Sequence, residues 1–305
     1  MLIRTILLQM ASNRSLESFA RHNRAAAAIA RRFIAGETID EIASPISSLN
    51  KKGMSVTLDF LGESVTSESL VESTLTTYKK LFDLIRSQNL NANVSVKLTA
   101  LGLDISEETA RRSLLSLLDY AGDIFIRLDM EGSSYTQRTL DLFMSIWNER
   151  AAMHNMGVVI QSYLHRSERD IRMLNSIGAR VRLCKGAYKE SAPAAFVNKE
   201  EVDSNFVLLM KLLLKEGYYP GIATHDTRMI DATISYAKEM NISSNDFEFQ
   251  MLYGVRRSLQ EDIIKQGYRL RIYTPFGDYW YPYTMRRLAE RPSNLMFALK
   301  SIFKG

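Results

Sequence analysis

A single cysteine, Cys184, among 305 residues excludes an internal disulfide and leaves no thiolate pattern for zinc. Only four histidines are present, scattered along the chain, and no His-Glu-x-x-His occurs, so no ligand set for a transition metal can be read. No apolar run reaches the roughly 18 to 20 residues that a membrane-crossing helix requires, which restricts any membrane contact to the periphery. Both Gly-x-Gly-x-x-Gly and the Walker A pattern are missing, which argues against a dinucleotide held on a Rossmann first turn. A serine-hydrolase elbow is missing too. What remains is chemistry by ordinary side chains, or by a cofactor held in some other way.

The charge is unevenly placed. Residues 1–36 carry six arginines (Arg4, Arg14, Arg21, Arg24, Arg31, Arg32) and one acid, Glu17, which accounts for the whole net charge of +5. The remainder, 33 basic against 33 acidic residues, is neutral, so no nucleic-acid groove is expected over the main body. Leu2, Ile3, Ile6, Leu7 and Met10 fall at helical spacing. An integral helical arm over 1–45 is the first expectation, with a cleaved arginine-rich leader as the alternative and contact with a membrane surface as a further role of the arm. From Ser44 to Gly53 the composition reads as a connector.

Beyond the connector, short runs rich in Val, Ile, Leu and Phe occur at 55–60, 93–98, 124–130, 158–161, 180–184, 221–224, 247–251 and 269–273. Longer periodic segments separate them, at 67–87, 107–118, 136–154, 168–177, 199–215, 228–240 and 260–266. Eight such runs alternating with helices predict an α/β fold, a (β/α)8 barrel over 46–305, with near-continuous apolar strands buried on both faces. An open doubly wound sheet is the structural alternative. In a barrel the chemistry sits at the C-terminal ends of the strands. Those ends supply Glu63, Lys97, Asp129, Gln161, the run Lys185-Gly186-Ala187-Tyr188, His225 with Asp226, Leu252 with Tyr253, and Tyr273 with Pro275. After a turn at Pro275-Phe276-Gly277 a helical pattern brings Arg286 and Arg287 close to the last strand end. Paired guanidiniums suit a small carboxylate, because their planar forks match its two oxygens; a solvated helix face is the plain alternative. Lys97 and Lys185 would also allow Schiff-base chemistry without a cofactor. A barrel that only binds an amino acid is the non-catalytic reading.

Seven blocks taken in order narrow these choices. Val-Ser-Val-Lys-Leu (94–98), Ile-Arg-Leu-Asp-Met-Glu (126–131), Gly-Val-Val-Ile-Gln-Ser-Tyr (157–163), Arg-Leu-Cys-Lys-Gly-Ala-Tyr (182–188), Ala-Thr-His-Asp (223–226), Phe-Glu-Phe-Gln-Met-Leu-Tyr-Gly (247–254) and Arg-Ile-Tyr-Thr-Pro-Phe-Gly with Tyr-Thr-Met-Arg-Arg-Leu-Ala-Glu (271–290) together span nearly the whole barrel. The series resembles the monofunctional bacterial proline dehydrogenases. That resemblance implies a distorted barrel with its last helix over the mouth and a non-covalent FAD. It further implies oxidation of L-proline to Δ1-pyrroline-5-carboxylate by hydride transfer from C5 to flavin N5, the first step of proline catabolism to glutamate. Electrons would pass to a membrane quinone. The partners implied are L-proline, that quinone and a downstream pyrroline-5-carboxylate dehydrogenase, in the cytoplasm and at the inner face of the cell membrane.

Residue by residue, the resemblance assigns Arg286, Arg287 and Lys97 to the substrate carboxylate, with Asp129 holding Lys97 and bounding the pocket. Tyr273, Tyr283, Leu252 and Tyr188 wall the ring. Independently of the resemblance, Glu63 after the first strand is a carboxylate at the mouth without a metal to serve, and is expected to gate the mouth by pairing with Arg286. Arg182 approaches the reactive edge of the flavin and Gln161 its pyrimidine portion, with Asp129, Met130, Val159 and Arg287 also on the cofactor. Lys185, Gly186, Ala187 and His225 are assigned to the ribityl, phosphate or adenosine portions with Glu290 nearby, and Tyr188, Asn198, Lys199 and Asp226 are also assigned to the cofactor. Lys189 stands where some relatives have an aromatic residue, and Asp226 where several have asparagine.

Overall fold

The computed structural model describes residues 32–62, 64–150 and 155–290, together with positions 13, 16–18, 20 and 23. Eight parallel strands close in sequence order into a barrel: β1 (Ser55–Phe60), β2 (Ala92–Val96), β3 (Ile126–Leu128), β4 (Met156–Gln161), β5 (Arg180–Cys184), β6 (Gly221–Ala223), β7 (Glu248–Leu252) and β8 (Leu270–Phe276). The helices are α1 (Ile39–Lys51), α2 (Glu68–Ser87), α3 (Glu107–Ala121), α4 (Ser133–Glu149), α5 (Ser167–Ser176), α6 (Lys199–Glu216), α7 (Thr227–Glu239), α8 (Arg257–Lys265) and α9 (Trp280–Glu290). Ser67 and Ser106 cap α2 and α3 by accepting from Leu70 N and Thr109 N, which fixes where those helices begin.

The strands alternate and are not uniformly apolar. Val56, Leu58, Val94, Val96, Ile126, Leu128, Val181, Leu183, Ile222, Phe249 and Ile272 join the main core. The opposite parity is polar: Thr57 pairs in register with Asn93 and Tyr273, Ser95 with Arg127, Gly221 with Arg182 and Glu248, and Gln250 with Arg271. Period two in a strand sends these sets to opposite faces. The barrel interior is therefore filled by ion pairs, and two glycines make room. A Cβ at Gly157 would lie 2.9 Å from Arg127 Nη1, and one at Gly221 would overlap Gln250 Nε2. Arg271 Nε donates to Glu248 Oε1 at 2.7 Å. Arg127, 2 % exposed, donates from Nη1 to the carbonyl of Arg180 at 2.6 Å and lies over the Phe125 ring at 4.8 Å. Burial and then the neighbouring Arg182 push its guanidinium well below the ordinary arginine range.

The segment read as a connector at 44–53 is instead the body of α1, and the expected boundary at 45/46 falls inside that helix. Ile42 and Ile46, one turn apart, are fully buried in the main core, which outweighs the missing N–H of Pro45. α1 packs on β1 and α2, and Lys52 just past its end pairs with Glu261 of α8 at 3.1 Å. It thus occupies the place in the outer ring where a helix following β8 would ordinarily lie. β8 also runs further than expected, since Pro275 and Phe276 stay in register with Asp59 and Phe60.

α9 belongs to a second cluster, in which Trp280, Tyr281, Tyr283, Met285, Leu288 and Ala289 pack with Phe33, Ile34 and Leu61. The 35–36 segment is tied to the end of β8, where Ala35 N donates to Pro275 O at 2.9 Å and Gly277 N to Gly36 O at 3.0 Å. Apart from the six isolated positions, the 1–31 stretch of the arm lies outside the described residues, as do residue 63 and positions 151–154 at the end of the helix expected over 136–154.

Candidate active site

The strand ends and α9 enclose a cavity of about 550 Å³, within the size range of cofactor and ligand pockets. The expected residues Lys97, Asp129, Met130, Val159, Gln161, Arg182, Lys185, Gly186, Ala187, Tyr188, Lys199, His225, Asp226, Leu252, Tyr273, Tyr283, Arg286 and Arg287 all line it. Asn198 does not; its side chain accepts from Glu200 N at 2.9 Å and caps α6. Glu63 and the side chain of Glu290 lie outside the described residues.

One pairing differs from expectation. Lys97 Nζ is held by Asp59, at 2.9 and 3.0 Å from its two oxygens, and not by Asp129. Asp129 is already engaged: Oδ1 accepts from Arg182 Nη1 at 2.7 Å and Ser95 Oγ at 2.9 Å, and Oδ2 accepts from the Tyr273 hydroxyl at 2.6 Å. Asp59 and Ser95 are register partners on adjacent strands and Asp59 is 1 % exposed, so the acid nearest Lys97 comes from β1. Burial opposes charge on Lys97, but the Asp59 and Asp129 carboxylates outweigh it and hold the ammonium above the usual lysine range. Burial, followed by the Asp129 charge, raises the Tyr273 phenol well above its ordinary value, so it acts as a hydrogen-bond donor. Its ring lies under the Arg182 guanidinium at 5.1 Å, and Arg182 Nε donates to Gln250.

On the opposite side of the cavity a mixed cluster forms at the ends of β5 and β6. Lys185 bridges Asp203 and Asp226, Lys199 pairs with Asp203, and Arg228 reaches Asp203 at 2.9 Å and Asp226 at 3.0 Å. Three cations against two carboxylates leave one positive charge there. Hydrogen bonding from Arg228 holds the Asp226 carboxyl well below the usual range, and Lys185 adds to that. His225 Nε2 accepts from Leu252 N at 2.9 Å, which places the proton of a neutral ring on Nδ1. Burial pushes the Cys184 thiol up to about 11, so it packs as a small neutral group and not as a reactive thiolate.

Sequence reading missed Asp59, Gln250, Asp203 and Arg228. The signals were present: Asp59 has the inward parity of Ser55-Val56-Thr57-Leu58-Asp59, and Asp203 lies four residues after Lys199 on one helix face.

The donor set fits FAD. Arg182 Nη2 is buried without a hydrogen-bond partner in the cavity wall, a donor available to a ligand acceptor. Lys185 and Lys199 reach the cavity from a cluster that keeps one net positive charge, which suits an anionic phosphate group. Gly186, at φ +107°, lets the backbone follow the wall where any Cβ would strike the Tyr163 ring.

The family model for proline dehydrogenase matches residues 42–299. This chain belongs to the proline dehydrogenase family. It is 40% identical over 305 residues to proline dehydrogenase 1 of Bacillus subtilis (strain 168), across 99% of this chain and 100% of that protein. Against proline dehydrogenase of Deinococcus radiodurans the identity is 36% over 311 residues, covering 100% and 99% respectively. Among solved structures it is similar to proline utilization A from Bdellovibrio bacteriovorus inactivated by N-propargylglycine, with a TM-score of 0.80 and 30% identity. That match covers 86% of this chain and 32% of the other, so the barrel corresponds to about a third of the larger protein. The closed eight-strand parallel barrel with its interleaved helices is therefore the shared fold.

Proposed function

We propose that this proline dehydrogenase family member oxidises L-proline to Δ1-pyrroline-5-carboxylate with non-covalent FAD, as the first step of proline catabolism to glutamate, and passes the electrons to a membrane quinone. The observation that carries the reading is the convergence of Lys97, Arg286 and Arg287 on one cavity that also holds Tyr273 and Arg182. Arg286 and Arg287, with Lys97 beside its Asp59 partner, select a small carboxylate and fix which ring carbon points away from it. C5, next to nitrogen and away from the carboxylate, then faces the cofactor. Bound FAD supplies the two-electron acceptor for the hydride leaving C5.

The remaining work belongs to the chain. The anchoring cations favour loss of the ammonium proton to solvent and the Asp59 and Asp129 carboxylates oppose it in part; once the proton has left, the nitrogen lone pair assists departure of hydride. Asp129 fixes the Tyr273 ring through its hydroxyl and Arg182 through Nη1, setting two walls of the pocket with one carboxylate. A pyrroline-5-carboxylate dehydrogenase would consume the product. Among the described residues no helix is long and apolar enough to cross a membrane, so contact with a membrane quinone is assigned to the surface of the fold.

The Schiff-base alternative is weakened by the same geometry. Lys97 is held as ammonium by Asp59, the wrong state for attack on a carbonyl, and Lys185 is bracketed by Asp203 and Asp226. An absorbance spectrum tests the choice. The purified protein should show flavin bands, and anaerobic L-proline should bleach them; NAD should not serve as acceptor whereas a soluble quinone should. A colourless protein that cannot be reconstituted with FAD would sink the reading, and a borohydride-trapped lysine adduct would replace it with the aldolase.

Substrate choice follows from Tyr273. Its ring is fixed by Asp129 and Arg182 and leaves little freedom to accommodate a ring substituent. Steric exclusion in a packed pocket costs about 1–3 kcal/mol, so kcat/KM for L-proline should exceed that for trans-4-hydroxy-L-proline by roughly 5-fold to 150-fold. Tyr273→Ser should narrow the ratio, mainly by harming proline turnover. Equal kcat/KM for the two substrates in the unmodified protein would overturn the steric role of Tyr273.

A further inference from the structure

The loop between β5 and α6 carries Lys185, Gly186, Ala187 and Tyr188 along the cavity wall, and it is anchored on neighbours that are not part of that wall. Its far limb is zipped onto the loop after β4. Leu164 and Ala195 form an antiparallel bridge, and Phe196 N donates to Tyr163 O at 2.8 Å. Between this zipper and the cavity-lining stretch stands Glu190. Its Oε1 accepts from the backbone N of Ser133 at 2.7 Å, and its second oxygen takes the Ser133 hydroxyl.

That contact is a helix cap supplied from a distance. α4 begins after Gly132, which offers no side chain, and has no acidic residue in its first turn. The exposed N–H groups and the positive end of the helix dipole are met instead by a carboxylate 57 residues along the chain. The same Oε1 lies 3.4 Å from the Tyr163 hydroxyl, and the Tyr163 ring occupies the space where a Cβ of Gly186 would be, 2.5 Å from its nearest atoms. Glu190, Tyr163 and Gly186 thus form an unbroken line from the α4 cap to the cavity. Glu190 itself does not line the cavity.

We propose that Glu190 is the positioning residue of this loop: by capping α4 it holds the 185–190 stretch in the shape that receives the diphosphate portion of FAD. The proposal rests on the cavity being an FAD site. A loop already in its binding shape spares the ligand the cost of ordering it, and affinity falls in proportion to the fraction of molecules that keep that shape.

The test compares Glu190→Gln, Ser133→Ala and the double variant as full-length apoproteins, titrated with FAD and followed by amide hydrogen exchange. Glutamine keeps the size and one acceptor but loses the charge. Removing a helix cap costs about 2-fold to 30-fold in an equilibrium constant, so the FAD dissociation constant of Glu190→Gln should rise by up to that factor. Exchange should quicken over 186–196 while the barrel strands are unaffected. The effects of the two substitutions should be less than additive in the double variant, since both act on the same Glu190–Ser133 contact. A lowered melting temperature with FAD affinity and loop exchange unchanged would make Glu190 a mere prop and overturn the proposal. Failure of the unmodified apoprotein to take up FAD would remove the cofactor reading and the proposed consequence with it. Loop exchange in Glu190→Gln would still decide whether the latch exists.

Discussion

Replacing Arg286 or Arg287 with methionine is expected to lower kcat/KM for L-proline by roughly 30-fold to several thousand-fold. The basis is the ~2–5 kcal/mol lost when one side of a desolvated, hydrogen-bonded charge pair is removed. Both side chains are half-buried on α9 and line the cavity that Lys97 also reaches. Methionine keeps the aliphatic stem and removes only the fork of donors, so the packing of Trp280, Met285 and Leu288 should survive. Melting temperature should move little while steady-state kinetics collapse. Arg287, which lies over the Tyr283 ring at 5.2 Å, should in addition weaken FAD retention. Near-normal kcat/KM in both variants would return the pair to a solvated helix face and remove the main support for a carboxylate site.

Asp129→Ala should be the most damaging single change to the barrel interior. Its carboxylate satisfies Arg182, Ser95 and Tyr273 at once, and both Arg182 and Ser95 are buried. Truncation leaves the Arg182 charge without its partner in a low-dielectric setting, a loss of about 3–5 kcal/mol. Domains are stable by only about 5–15 kcal/mol. The expected result is a large drop in the denaturant midpoint of the apoprotein, with kinetics in the surviving folded fraction also impaired because Tyr273 has lost its anchor. Asp129→Asn, which keeps acceptor oxygen and volume, should recover part of the stability. A midpoint unchanged in Asp129→Ala would mean that the interior ion pairs contribute nothing net, and the account of the site walls would need revision.

The eight-strand barrel was legible because eight apolar runs recur between periodic segments, and that signal survives errors of two or three residues at any one boundary. The site was legible at strand ends, where polar side chains interrupt apolar runs, and so Lys97, Asp129, Gln161 and Tyr273 were found; Arg182, in the middle of β5, came only from the resemblance. Pairing was not. Which acid meets Lys97 depends on the register of β1 against β2, and a one-residue slip would have turned Asp59 away from the interior. Nothing in the local composition of 44–53 distinguishes a connector from a helix. What decides it is the fit of Ile42 and Ile46 against the main core, a contact made across the fold. Arg228 and Asp203 were missed for a related reason: they lie on helices, Arg228 in the first turn of α7 and Asp203 just past the first turn of α6, where strand-end reasoning does not look.

The placement of α1 changes what α9 is free to do. With the ring between α8 and α2 already filled, the helix over the mouth carries no part of the wall, and its apolar side chains form a cluster separate from the main core. Among the described residues, swinging it outward would uncover that second cluster while every strand of the barrel kept both of its neighbours. The free energy of opening is then set locally and is uncoupled from the free energy of unfolding. Two quantities that would rise and fall together in an ordinary barrel, the durability of the scaffold and the ease of admitting a substrate, can here be tuned by different residues.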